Sequence, residues 1–165
     1  MARRMEAAFV AECGDRSRLE ALPAFEEVLV VIAPLTHAKI RRPRDARADT
    51  VIAFPAGCAY RRRLQAWLAI DGVVPERTLE LASYHAIVSC VAAGTGIAFI
   101  PRSVLDTVRG VSRVAAYALP SSAAKVATPL IWRKGESSPA LDALCCLVAE
   151  SAKQRTQARR VAHIS

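Results

Sequence analysis

Cys58 and His85 are the two residues whose types could do covalent chemistry together, a thiol nucleophile beside an imidazole base. Each stands at the start of a predicted helix: Gly57-Cys58-Ala59-Tyr60-Arg61 opens one, and Ser83-Tyr84-His85-Ala86-Ile87-Val88 opens the other. The same openings offer a different chemistry. A helix N-terminus presents unpaired N–H groups and partial positive charge, which suits a small anion, and the hydroxyls of Ser83 and Tyr84 add donors beside them. The second chemistry has the better support. There is no phosphate-binding Gly-rich loop, no GxSxG elbow and no HExxH, and backbone bonding accounts for a first-turn histidine such as His85. The reading is therefore a binding protein and not an enzyme, with no catalytic residue, metal site or cofactor. Cys58 beside Arg61 and Arg62 would have a stabilised thiolate, but no resolving cysteine can be placed nearby. It reads as a small residue chosen for close packing.

The elements around these openings alternate strand and helix, which makes the chain α/β. Ala7–Ala11 and Glu27–Ala33 read as strands, the second stopped by Pro34. Thr36–Asp49 is a charged connection with one irregular helical turn, and Thr50–Phe54 is the next strand. The turn Pro55-Ala56-Gly57 leads into a helix over 58–70, whose apolar stripe is Tyr60, Leu64, Trp67 and Leu68 and whose stop is Gly72. Arg77–Ala82 is a strand. Ser83 then caps a helix through its hydroxyl, with Tyr84, Ile87, Val88 and Val91 as the buried stripe and Gly94 as the end. Gly96–Ile100 returns as a strand, Pro101–Leu105 starts a short helix, and Val111–Leu119 and Val126–Trp132 are further strands. Ser138 caps the last helix with Pro139 at its first position, and Leu141, Leu144, Leu147 and Val148 form its apolar stripe. Both functional helix starts follow strands, so they emerge at one sheet edge, where ligands bind in open α/β sheets.

Composition bounds the partners. A hydrophobic share of 53% supports a core, and only 5% aromatic residues makes that core largely aliphatic. The net charge of +8 could suit nucleic acid. Its basic residues, however, gather at Arg3 and Arg4, at Lys39, Arg41, Arg42, Arg44 and Arg47, and at Lys153, Arg155, Arg159 and Arg160, with no interleaved stacking aromatics. These read as solvated loops and ends. The five cysteines, Cys13, Cys58, Cys90, Cys145 and Cys146, lack paired spacing and are expected as free thiols in a reducing compartment. No signal h-region or membrane span is evident, so a cytoplasmic protein without membrane contact is expected.

From Glu6 to about Ala152 the chain resembles the effector-binding domain of LysR-type transcriptional regulators. The matching segments are Ala7–Ala11, Leu29–Pro34 with His37, Ile52–Arg61, Trp67-Leu68, Gly72, Ser83–Pro101 and the closing helix near Leu141–Ala149. The resemblance implies a type 2 periplasmic-binding-protein-like fold. Residues 1–34 would be late strands of a first, partial subdomain and 35–101 a complete second subdomain. Residues 102–152 would return to the first, and 153–165 would form a basic disordered tail. It also implies a small polar or anionic effector held between subdomains, with contacts from Gly57, Cys58, Ala59, Tyr60, Ser83 and Tyr84. Ala11 and Glu12 would stand where a first-subdomain strand meets the cleft, and Gly96, Ile97 and Phe99 where the chain passes back. Family members read DNA through an N-terminal helix-turn-helix, which is expected to be absent from this chain. DNA binding would then need that segment, and the partners would be a second copy or a full-length relative, met through the open edge of the Ala7–Ala11 strand. Two alternatives stay open: a free-standing ligand-binding or interfering module that pairs with full-length relatives, and a non-specific nucleic-acid binder using Arg61–Arg63 and the basic tail.

Overall fold

The computed structural model describes residues 5–12, 14–47, 49–108 and 111–162, with the side chains of 111 and 156–162 excepted. Arg3, Arg4, Cys13 and His163, and the side chains of Arg159 and Arg160, lie outside that description. The elements are β1 (Ala7–Phe9), β2 (Leu19–Pro34), β3 (Thr50–Ala53), α1 (Ala59–Ile70), β4 (Arg77–Glu80), α2 (Tyr84–Ala92), β5 (Ile97–Pro101), α3 (Arg102–Leu105), β6 (Val114–Ala118), α4 (Ser121–Ala124), β7 (Lys125–Arg133) and α5 (Pro139–Ala162). Two compact units result: one holds the residues up to Glu26 and those from Val126 onward, the other Glu27–Lys125.

In the second unit the strand order is β6-β2-β5-β3-β4. The end of β2 runs antiparallel to β5 and β6, while β3 is parallel to β5 and β4. Leu29–Pro34 of β2, Val51–Ala53 of β3 and all of β5 are apolar because helices cover both faces. Alternation along each strand sends Val30, Ile32, Ile52, Ala98 and Ile100 toward Ile87, Val88 and Val91 of α2. The other face meets α1, where the Trp67 and Phe99 rings lie 5.4 Å apart. Both helices end in the same way. The Gly72 N–H donates to Ala69 O and the Val73 N–H to Leu68 O; likewise Gly94 to Val91 O and Thr95 to Cys90 O. Gly72 at φ +68 and Gly94 at φ +87 take the left-handed conformation that this termination requires.

Trp67 is 2% exposed, and its indole N–H meets no acceptor among the described residues. An unmet buried donor costs free energy that a ring without it does not. Trp67→Phe removes that donor but also ring volume, so the relief partly offsets the cavity and a net loss of no more than about 2 kcal/mol is expected. A urea titration showing a loss above about 2 kcal/mol would show that the N–H is satisfied after all.

The first unit has strand order β1-β7-β2, with β1 antiparallel to β7. Its core is small, Ala24, Leu130 and Val148 joined by Ala7, Leu22, Trp132, Leu144 and Cys145. Four expectations are corrected by the structure. The strand expected from Glu27 begins at Leu19, since Pro23 is tolerated in a segment hydrogen-bonded to β7 alone among the described strands. The strand expected from Val111 opens as a single 3-10 turn, Val111–Arg113. The inward stripe of α5 runs through Cys145 in place of Leu147, which is 63% exposed. The expected disordered tail continues α5 to Ala162, because extending a formed helix through Lys, Gln, Arg and Ala is cheap where starting one is not. Arg155 anchors this stretch, donating to Ala24 O and lying 4.9 Å from the centre of the Phe25 ring.

Ser138 caps α5 as expected, its Oγ accepting from the Leu141 N–H at 3.1 Å. The four described cysteines are free thiols. Strand β6 and helices α3 and α4 belong with the second unit, which extends to Lys125; the pairing of β6 with Val30–Pro34 holds them there. The sequence expectation had ended that subdomain at residue 101.

Candidate functional site

The parallel register of β3, β4 and β5 sets one edge of the second unit. Chain leaving β3 passes through Phe54 and the Gly57 turn, at φ +92, into α1, and chain leaving β4 passes through Ser83 into α2. Cys58 is the N-cap of α1, its carbonyl accepting from the Arg62 N–H at 3.2 Å. Ser83 is the N-cap of α2, accepting through its carbonyl from the Ile87 N–H at 3.0 Å. The expected cap by the Ser83 hydroxyl is not formed. That side chain is exposed and points no bond at the helix.

Tyr60 and Tyr84, one from each helix start, are half-buried, and their phenols are close enough to influence each other's ionisation. The Tyr84 ring also meets Phe54 edge-on, with centres 5.0 Å apart. Burial pushes both phenols above their ordinary range, and the negative field of Glu27 and Cys58 adds to the effect. Glu27 accepts from Ser103 Oγ at 2.8 Å. Both phenols therefore stay neutral through physiological pH and act there as hydrogen-bonding groups. Since raised folded-state values resist ionisation, their stabilising effect holds below the free-tyrosine value of 10.0 and is lost as pH climbs through the folded values. An absorbance titration of tyrosinate should show a late-ionising class, reduced by Tyr84→Phe. A single ionisation of all tyrosines at the free value would contradict this coupling.

The three arginines of α1 are engaged with the protein itself. Arg61 pairs with Glu80 and donates to Phe54 O, Arg62 donates to Gly57 O, and Arg63 donates to Ser122 O and Ala123 O. They brace the turn and the short helix α4. The loop cations are similarly placed, Arg42 against Asp45 and Arg44 against Asp71. Asp45 is held below the usual carboxylate range chiefly by the Arg41 N–H. The ring nitrogens of His37 lie 2.7 and 2.8 Å from Ala38 O and Ala46 O, a brace for the connection before β3.

The expected contact residues divide. Gly57, Cys58, Ala59, Tyr60, Ser83 and Tyr84 stand together on the α1 and α2 starts, with Ala59 buried. Gly96 and Ile97 do not join them: Ile97 pairs with Val51, and Gly96 backs onto the Thr50 carbonyl, at the opposite end of the parallel strands. Phe99 is 3% exposed and packed at a tilt against Trp67, a core ring. Ala11 and Glu12, half-buried with Glu12 at φ 74, belong to the first unit. Sequence reading missed Glu27, Phe54 and Ser103. Only the antiparallel register of β2 on β5 could have brought the first of these to this edge. Among the described residues no three His, Cys, Asp or Glu side chains are grouped to hold a metal ion, and no helix is long and apolar enough to cross a membrane.

With this geometry in place, comparison with known proteins is decisive. The family model for the LysR substrate binding domain matches residues 1–153. The chain belongs to that family. A LysR substrate binding domain carries the type 2 periplasmic-binding-protein-like fold, and solved regulatory domains agree in architecture. That of CcmR from Synechocystis, in complex with 2-PG, superposes with a TM-score of 0.72 at 23% identity, covering 87% of this chain and 71% of that one. That of MetR from N. meningitidis gives 0.72 at 18% identity, covering 88% and 69%. In sequence, the HTH-type transcriptional regulator GltR of Bacillus subtilis is 31% identical over 72% of this chain. The regulator YusT of the same organism is 32% identical over 79%. The chain spans 40% and 43% of the lengths of these two relatives.

Proposed function

We propose that this LysR substrate binding domain is the effector-reading part of a transcriptional regulator and takes a small polar or anionic metabolite at the shared start of α1 and α2. The observation that carries the reading is the convergence of two helix N-termini and the Tyr60 and Tyr84 phenols on one sheet edge. Backbone N–H groups at 57–59 and 83–85 would receive negatively polarised atoms, and the two phenols would orient the rest. Family membership supports the class of ligand, a small molecule, and the engaged arginines of α1 argue against a polyanion. Ala11 and Glu12 remain candidates through the family resemblance alone.

A thermal-shift screen of the chain against a panel of small metabolites tests the reading. A stabilising ligand is expected, with the response lost in Tyr84→Leu while circular dichroism shows the fold retained. A ligand whose effect survives Tyr84→Leu unchanged would place binding elsewhere. In an intact regulator such binding would be coupled to DNA through a two-state rearrangement.

A further inference from the structure

We propose that the effector carries a protonated amine, seated against the Glu27 carboxylate among Phe54, Tyr60 and Tyr84, so that the ligand class is a small zwitterion such as an α-amino acid. This rests on the site reading above and specifies what that site selects. Glu27 lies just before the part of β2 that pairs with β5, where the register Leu29↔Pro101 carries it past the end of β5 to the edge that holds both helix starts. It is half-buried, and its one hydrogen bond among the described residues is the 2.8 Å contact from Ser103 Oγ. Among those residues no Lys or Arg forms an ion pair with it. The guanidiniums of the adjoining helix are directed elsewhere, Arg61 to Glu80, Arg62 to Gly57 O and Arg63 to Ser122 O and Ala123 O.

The Glu27 carboxylate keeps acceptor capacity beyond the Ser103 bond, and a cation brought by a ligand can form a charge-assisted hydrogen bond with it. The surroundings suit such a cation. Phe54 and Tyr84 meet edge-on with ring centres 5.0 Å apart, Tyr60 stands at the neighbouring helix start, and aromatic rings attract ammonium groups. A purely anionic ligand would meet the Glu27 charge unrelieved. A zwitterion satisfies both ends, its carboxylate on the helix-start N–H groups and its ammonium at Glu27.

The test is calorimetric titration of the chain with the common L-amino acids, their 2-hydroxy-acid counterparts and the corresponding simple amines. At least one amine-bearing probe is expected to bind, with its hydroxy-acid counterpart weaker by about tenfold or more. Glu27→Gln, which keeps the shape and the acceptor for Ser103, should weaken binding by about 10- to 100-fold. Equal binding of an amino acid and its hydroxy acid, or unchanged affinity in Glu27→Gln, overturns the amine assignment. If Tyr84→Leu still abolishes that binding, the site reading stands without it. Binding indifferent to Tyr84→Leu instead overturns the site reading, and silence from every amine-bearing probe overturns the amine proposal.

Discussion

Gly96→Ala is expected to destabilise the chain by about 3 kcal/mol, the upper range for forcing an atom into a packed interior. A Cβ at this position would lie 2.2 Å from the Thr50 carbonyl oxygen, 2.9 Å from its carbon and 3.2 Å from the Thr50 Cβ. The obstacle is backbone at the first residue of β3, beside the Val51↔Ile97 pair, so no side-chain rotation relieves the clash. Either β3 and β5 separate or the alanine is strained. Gly94 is the control. It has φ +87 and open space around it, so Gly94→Ala meets conformational strain alone and should cost about 1 kcal/mol. Urea unfolding followed by tryptophan fluorescence compares the two. Equal midpoints for Gly96→Ala and the parent chain would show that the close approach does not exist. Loss of effector response at full stability would return Gly96 to the binding role that the family resemblance implied.

That contrast shows where sequence reading succeeds and where it stops. The strand–turn–helix units around Gly57 and Ser83, and the glycine stops at Gly72 and Gly94, are legible because each signal lies within one or two turns of its effect. A left-handed residue just past an apolar stripe is local chemistry. The family resemblance places Gly96, Ile97 and Phe99 at the cleft, where the chain passes back between subdomains. The parallel register instead starts β5 at the far end of the sheet, and nothing local reveals that. Glu27 is the converse case. In sequence it is the first residue of an apolar run, and only the antiparallel pairing of β2 with β5 delivers its carboxylate to Ser103, at the edge that holds both helix starts. The first half of β2 was hidden for another reason. Pro23 and its charged neighbours mask a strand whose hydrogen-bonding demand is met on one side by β7. The candidate site was thus visible as two helix starts, whereas its charge could be read only from the sheet.

The same sheet edge is held in place from beneath, and Ile87→Ala should show how strongly. Ile87 is fully buried, one turn into the helix that presents Tyr84, and packs with Val88 and Val91 onto Ile52, Ala98 and Ile100. Removing its side chain beyond Cβ forfeits the transfer free energy of the lost atoms and leaves a cavity that central strands fixed by their ladders cannot close. The expected cost is about 3–4 kcal/mol. His85, two residues earlier in α2, is exposed, and His85→Ala should stay within about 0.5 kcal/mol of the parent. If Ile87 anchors the site helix, weakened effector binding should accompany its loss of stability even where the chain remains folded, because Tyr84 and the first-turn N–H groups would no longer be held in one geometry. His85→Ala should leave binding intact. Thermal unfolding together with ligand titration separates these effects. A stable, fully responsive Ile87→Ala would mean that α2 is positioned by something other than its apolar stripe, and a silent His85→Ala would bring the imidazole back as a binding group.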